Sequence, residues 1–226
     1  MRTLLWYGYS KKKNELISNT EQNCFIEGGV VEQSRTIDRT SNDISRQTLT
    51  EKEEKWLKET VLPIISNMTV RIGYNRKNSG IGRSQVFGYG DRRQRGYGDF
   101  LNNKRHPELW KALALFGEMV VPKSIPWTAI QVNHNYQTKE HIDGNNIGKS
   151  LSVSFGDFEG GELVIADKPY QTKYHPVIFN GALARHRNEP IKGNRYSLVY
   201  FVSAPPKMSD DDIYKLNERL ISDIKD

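Results

Sequence analysis

Between residues 127 and 202 the chain breaks into short β-branched and aromatic runs, and no other feature constrains its fold as much. The runs cover 127–133, 150–155, 162–165, 176–179 and 195–202, and Gly, Asn and Pro turns separate them. Segments of this kind read as strands, and their spacing predicts a sandwich, a barrel or a jelly roll. No internal repeat of about 20 to 50 residues organises them.

Helical signals flank this region. Thr50 and Glu53 have capping-box spacing, and Trp56, Leu57, Val61, Ile64 and Ile65 recur at helical intervals, with Pro63 and Asn67 marking the end. A second helix follows His106-Pro107-Glu108, with Leu109, Trp110, Leu113 and Phe116 on one face and Gly117 near its stop. In the third, Ser209 caps Asp210-Asp211-Asp212, and Ile213, Leu216, Leu220, Ile221 and Ile224 form a stripe that packs on the domain or on a second copy. Residues 10–55 are polar and predict irregular structure with one or two short strands, near Cys24-Phe25-Ile26 and Val30-Val31. The expected class is mainly β with flanking helices (α+β), a single domain over 1–226. In it, 1–120 support a core at 121–204 and 205–226 supply a C-terminal helix.

At 226 residues the chain can bury a sizeable core without disulfides. Its single cysteine, Cys24, allows neither an internal disulfide nor a thiolate cluster, so a metal would be held by His and carboxylates. No run of about 18 apolar residues exists. Met1 to Trp6 lead to Gly8 and Lys11-Lys12-Lys13 instead of a signal-peptide core. The expectation is an intracellular protein of cytoplasm or nucleus, not secreted and not in a membrane. The formal net charge is +6. Residues 71–100 mix Arg71, Arg76, Lys77, Arg83, Arg92, Arg93 and Arg95 with Tyr74, Phe87, Tyr89 and Tyr97 among glycines. Basic groups neutralise phosphates and aromatic faces accept unstacked bases, so this segment reads either as a nucleic-acid contact surface or as a solvated glycine-rich loop.

Of the five histidines, one sits in a metal-like pair, His141-Ile142-Asp143. Residues i and i+2 on a strand share a face, so an imidazole and a carboxylate can grip one ion. His186 follows in the strand-like Leu183-Ala184-Arg185-His186. Two His and one carboxylate on one octahedral face leave three positions open, the donor set of non-haem Fe(II) oxygenases, whereas zinc more often takes a third nitrogen or sulfur. Further on, Arg195 opens a strong strand and Ser197 shares its face. A buried Arg there is costly unless paired, and a dicarboxylate would satisfy its fork, with Ser197 donating to the same group.

In this order, His141-x-Asp143, His186 and Arg195-x-Ser197, the residues from about 127 to 202 resemble the 2-oxoglutarate- and Fe(II)-dependent dioxygenases, which have a double-stranded β-helix (jelly-roll) core. The resemblance implies that His141, Asp143 and His186 bind Fe(II). It also implies that Arg195 and Ser197, with Asn133 adding a hydrogen bond, bind 2-oxoglutarate, and that O2 is consumed with release of succinate and CO2. Within that superfamily the chain is most similar to the TET/JBP group, which oxidises the methyl of 5-methylcytosine or thymine. The carriers are Gln131-Val132-Asn133, the run from His141 to Ser150, Phe155-Gly156-Asp157-Phe158 with Gly160-Gly161-Glu162-Leu163, and Gly193-Asn194-Arg195-Tyr196-Ser197. This implies DNA as the partner, with RNA as its variant. Asn146 is then placed at the target base, while Arg92, Arg93 and Arg95 grip the backbone and Tyr89 and Tyr97 stack on an exposed base. The competing expectations are a protein-side-chain hydroxylase, such as one acting on proline, and a non-catalytic jelly-roll module. Prolyl hydroxylases usually present Lys where Arg195 stands. The later paired arginines of AlkB-like demethylases are missing, since only Arg219 follows Arg195.

Overall fold

The computed structural model describes residues 34–67 and 80–225. Cys24 and the short apolar runs near it lie outside the described residues, as do Arg71, Tyr74, Arg76 and Lys77.

A short strand, β1 (Ser45–Arg46), leads into α1 (Glu51–Trp56), a π-helical turn over Leu57–Val61 and α2 (Leu62–Asn67). The capping box forms as the sequence predicts: Glu53 N donates to Thr50 Oγ1 at 3.3 Å and Thr50 N to Glu53 Oε2 at 2.7 Å. The helical path runs through Pro63 and ends at Asn67, the later of the two residues that mark its end in the sequence. Proline lacks an N–H and its ring crowds the carbonyl four residues back, and the π turn just before it, closed by Leu62 N on Leu57 O, relieves both problems.

β2 (Gly80–Asp91) and β3 (Tyr97–Asp99) come next, then α3 (Leu101–Arg105), α4 (Pro107–Val120), β4 (Ala129–Thr138), β5 (Ser150–Gly160), β6 (Leu163–Ile165), β7 (Lys168–Tyr170), β8 (Val177–Phe179), β9 (His186–Asn188), β10 (Ile191–Phe201) and α5 (Asp210–Ser222). The larger sheet has the order β1-β8-β5-β10-β4-β2-β3, and a smaller one the order β7-β6-β9. This is a mainly antiparallel, jelly-roll arrangement with helices on one side, as the strand spacing predicts.

β2 corrects the sequence reading. Residues 80–91 are neither a loop nor a free surface but a long strand paired with β4. Its glycines hid it by breaking the alternation, and the structure shows why they are there. Gly82, at φ +137, lies at the bulge between Ile81 and Arg83, and a Cβ at Gly88 would sit 2.3 Å from Thr128 O.

The two faces of the larger sheet differ in chemistry. On one, Ile130 and Val132 of β4, Leu151, Val153 and Phe155 of β5, and Leu198 and Tyr200 of β10 join the apolar side chains of α4 and the α1–α2 path in the main core. The alternate positions are polar: Asn133, Ser150, Ser152, Ser154, Arg195 and Ser197. A sheet covered on both faces is normally apolar on both. Here the second face, turned toward the smaller sheet, is apolar at β8, where Val177 and Phe179 pack with Leu163, Ile165 and Tyr170, and polar at these positions of β4, β5 and β10.

The C-terminal helix packs on its own domain. Ser209 caps it by accepting from Asp212 N, Leu220 and Ile224 enter the main core, and Asn217 Nδ2 donates to Trp127 O at 2.8 Å. Its acidic first turn also holds the preceding strap, where Asp210 pairs with Arg39 and accepts from Ile37 N, and Asp211 pairs with Arg35. Gly117 lies in the last turn of α4, near its stop as the sequence predicts. A Cβ there would lie 2.5 Å from Tyr200 Cε1, and Tyr200 OH donates to Leu113 O at 2.8 Å. Gly117→Ala therefore overpacks this contact. Denaturant unfolding should show a loss of about 1–3 kcal/mol, although alanine is the better helix former.

Candidate active site

Two stretches of chain, 141–143 and 181–186, bring His141, Asp143 and His186 together. His141 and His186 face each other as a doubly bonded backbone pair, each N donating to the other's O at 3.0 Å. Asp143 N donates to Gly181 O at 2.9 Å, which turns the loop so that its carboxylate reaches both rings. Asp143 Oδ1 lies 3.5 Å from His141 Nε2, and Asp143 Oδ2 lies 3.5 Å from His186 Nε2. The three donor atoms lie within 4.8 Å of one another.

The tautomers follow from the second nitrogens. His141 Nδ1 is 2.7 Å from Lys139 O and His186 Nδ1 is 2.9 Å from Ala184 O. A carbonyl only accepts, so each Nδ1 carries the hydrogen and each Nε2 can present a lone pair to an ion. Phe179 meets the His186 ring edge-on at 5.0 Å and limits its rotation. Burial pushes the Asp143 carboxyl up, but the hydrogen bonds and charges of His141 and His186 outweigh this and hold it well below the usual carboxylate range. The Asp143 hydrogen bond in turn raises His141. An anionic carboxylate between two imidazole Nε2 atoms fits a divalent cation.

Arg195 is 2% exposed. Its guanidinium lies over the Phe158 ring at 5.7 Å, and Nη2 reaches Thr172 Oγ1 at 3.4 Å, a long contact. Nε has no partner among the described residues. Burial pulls the group down to about 10, against the attraction of Glu162, which forms no ion pair with it. The side chain lies against Gly161, where a Cβ would be 2.9 Å from Arg195 Cδ. Around it are Ser197, to whose Oγ Asn133 Nδ2 donates at 3.3 Å, and Ser154, whose Oγ is 2.7 Å from Thr172 Oγ1. A buried cation among hydroxyls, with its fork unfilled, suits a carboxylate guest.

The sequence reading missed Thr172, fully buried beside Arg195, and Asn180, which shapes the turn before His186. Neither stands in a spacing motif. The predicted substrate residues are spread more widely. Asn146 Nδ2 donates to Asp143 Oδ2 at 3.4 Å, which places its amide beside the donor set. Tyr89 packs on the main core and Tyr97 is half-buried in β3. Arg92, Arg93 and Arg95 are all exposed, and Arg92 bonds the carbonyls of Gly96, Arg95 and Tyr97 at 3.0 to 3.2 Å across its own loop. Gly88 and Phe201 both pair with Ala129, and Ile147 N donates to Val202 O. The β2–β3 hairpin and the Asp143–Ile147 loop therefore leave the sheet at the same end.

No family model matches the sequence, and no curated protein matches it. Solved structures do resemble the fold. One is NgTET1 in complex with 5mC DNA, at 15% identity and a TM-score of 0.56, covering 74% of each chain. Another is a prolyl hydroxylase in complex with a hypoxia inducible factor peptide fragment from Trichoplax adhaerens, at 13% identity and a TM-score of 0.50, covering 78% of this chain and 87% of that one. The likeness is one of fold, a mostly antiparallel jelly roll with flanking helices. The His141, Asp143 and His186 donors are the two-histidine, one-carboxylate set that suits Fe(II).

Arg195→Met removes a desolvated charge while keeping most of the volume. Stability should rise by about 1–4 kcal/mol in denaturant unfolding without ligands. A loss of stability would show that the guanidinium already has an internal partner.

Proposed function

We propose that this chain is a Fe(II)- and 2-oxoglutarate-dependent dioxygenase that oxidises the methyl group of a nucleic-acid base, 5-methylcytosine or thymine in DNA. The observation that carries the reading is the buried Arg195, without a carboxylate partner among the described residues, on a jelly roll that also holds a His/Asp/His donor set.

In this reading His141 and His186 give their Nε2 lone pairs and Asp143 its carboxylate to Fe(II). Arg195 takes the far carboxylate of 2-oxoglutarate, with Ser197 and Thr172 donating hydroxyls and Asn133 holding Ser197 in place. When bound, iron with 2-oxoglutarate and O2 supplies the oxidation of a C–H bond, and succinate and CO2 leave. The chain's own work is positioning. The apolar packing behind β4, β5 and β10 keeps the inner face rigid, and Phe179 and the backbone carbonyls fix the imidazoles.

A base within a duplex cannot reach a site between two sheets, so the substrate is flipped out or single-stranded. Asn146, with its Nδ2 toward Asp143, keeps Oδ1 as an acceptor for a base edge. Arg93 and Arg95 contact the phosphate backbone from the hairpin at the same end of the sheet, and Tyr89 and Tyr97 flank them. Arg92 contributes chiefly by shaping that loop. The likeness to NgTET1 with 5mC DNA and the net charge of +6 support a nucleic-acid substrate.

Succinate formation with Fe(II), O2 and 2-oxoglutarate tests the reading, comparing 5-methylcytosine DNA with matched unmethylated DNA. The expected result is stimulation by the methylated DNA, abolished in Asp143→Ala. Stimulation by a proline-bearing peptide and by neither DNA would move the substrate to protein. Removing both Arg93 and Arg95 should lower the slope of log affinity for DNA against log salt by about 2, and an unchanged slope would take the hairpin out of the interface.

A further inference from the structure

The turn from Asn180 to Ala184 holds two of the three donor residues by its carbonyls, Asp143 by its backbone N–H and His186 by its ring. Gly181 O accepts from Asp143 N at 2.9 Å, and Ala184 O accepts from His186 Nδ1 at 2.9 Å. Asn180 folds that turn. Its carbonyl accepts from Leu183 N at 3.1 Å and from Ala184 N at 2.9 Å, and its Oδ1 accepts from Ala182 N at 3.2 Å. Its Nδ2 donates to Arg39 O at 3.3 Å, across to the strap that Asp210 clamps to the start of α5.

Asn180 is 1% exposed, so water does not compete for these bonds. The position calls for an acceptor and a donor on one short side chain, which an amide has and a carboxylate or an aliphatic group lacks. The turn also touches the donors directly: a Cβ at Gly181 would lie 3.3 Å from Asp143 Oδ2 and 3.4 Å from His186 Cε1. A shift of this turn therefore moves the Asp143 backbone and frees the His186 ring together.

We infer that Asn180 is a positioning residue of the metal centre, an inference that rests on the oxygenase reading above. It touches neither metal nor substrate and acts through Gly181 O and Ala184 O. Groups that orient metal ligands in this way commonly carry a 10- to 100-fold effect on metal affinity.

The test is calorimetric titration of the full chain with Mn(II), beside the melting temperature of the metal-free protein. Asn180→Ala should bind Mn(II) about 10- to 100-fold more weakly than the natural chain. Asn180→Ser should fall between them, because a serine hydroxyl still accepts from the N–H two residues on. At saturating Mn(II), 2-oxoglutarate affinity should stay within about twofold, since Arg195 and Ser197 stand on β10; a general loosening of the fold would lower both affinities. Undiminished Mn(II) binding in Asn180→Ala, or a parallel loss for both ligands, overturns the inference. If the alanine variant fails to fold, undiminished Mn(II) binding in Asn180→Ser overturns it instead. Absence of Mn(II) binding in the natural chain defeats the oxygenase reading itself, and the inference with it.

Discussion

A guanidinium taken out of water without a counter-charge is the condition around which the rest of the molecule is arranged. Arg195 stands on β10, the strand between β5 and β4 in the larger sheet, and its neighbours among the described residues supply hydroxyls and an aromatic face but no ion-paired carboxylate. Such a group is destabilising by several kcal/mol unless something anionic arrives. The protein keeps it because the surrounding framework is stiff. Tyr196, Leu198 and Tyr200 of the same strand are buried in the main core, and Trp127 and Phe116 pack against Tyr200. The apolar face fixes where the polar face points.

The donor set depends on a different kind of constraint. Its members come from a loop and a strand end, places where side chains ordinarily wander. Backbone bonds remove that freedom: the His141 and His186 pair closes one side, and the turn begun by Asn180 closes the other. Both imidazoles use one nitrogen on a carbonyl, and that choice leaves the other for chemistry. The strap at Ile37 and Arg39 joins this turn to the C-terminal helix, so elements far apart in sequence bear on the same site.

Much of this was legible from residue order. The runs that became β4, β5, β6, β8 and β10 were short, β-branched and bounded by turn formers, and His141-x-Asp143, His186 and Arg195-x-Ser197 stood at readable spacings. The long strand β2 was not legible, because Gly80, Gly82, Gly88 and Gly90 replace the side chains that alternation needs; at Gly82 and Gly88 the close backbone approach that demands glycine is tertiary. Gly117 read correctly as lying near the helix stop, but only the folded chain shows that it makes room for Tyr200. Thr172 and Asn180 carried no signal at all. Their roles come from facing Arg195 and Arg39, which are 23 and 141 positions away in the chain. Arg92 read as one of three equivalent basic groups, and only the folded loop shows that its hydrogen bonds are spent on Gly96, Arg95 and Tyr97.

The most direct test of the central claim is calorimetric titration of 2-oxoglutarate into the Mn(II)-loaded protein, with Arg195→Met as the comparison. The account predicts that the natural chain binds and that the variant loses on the order of 100-fold in 2-oxoglutarate affinity while its Mn(II) affinity is unchanged. Equal 2-oxoglutarate affinity in the two proteins, or no binding to the natural chain, would contradict it.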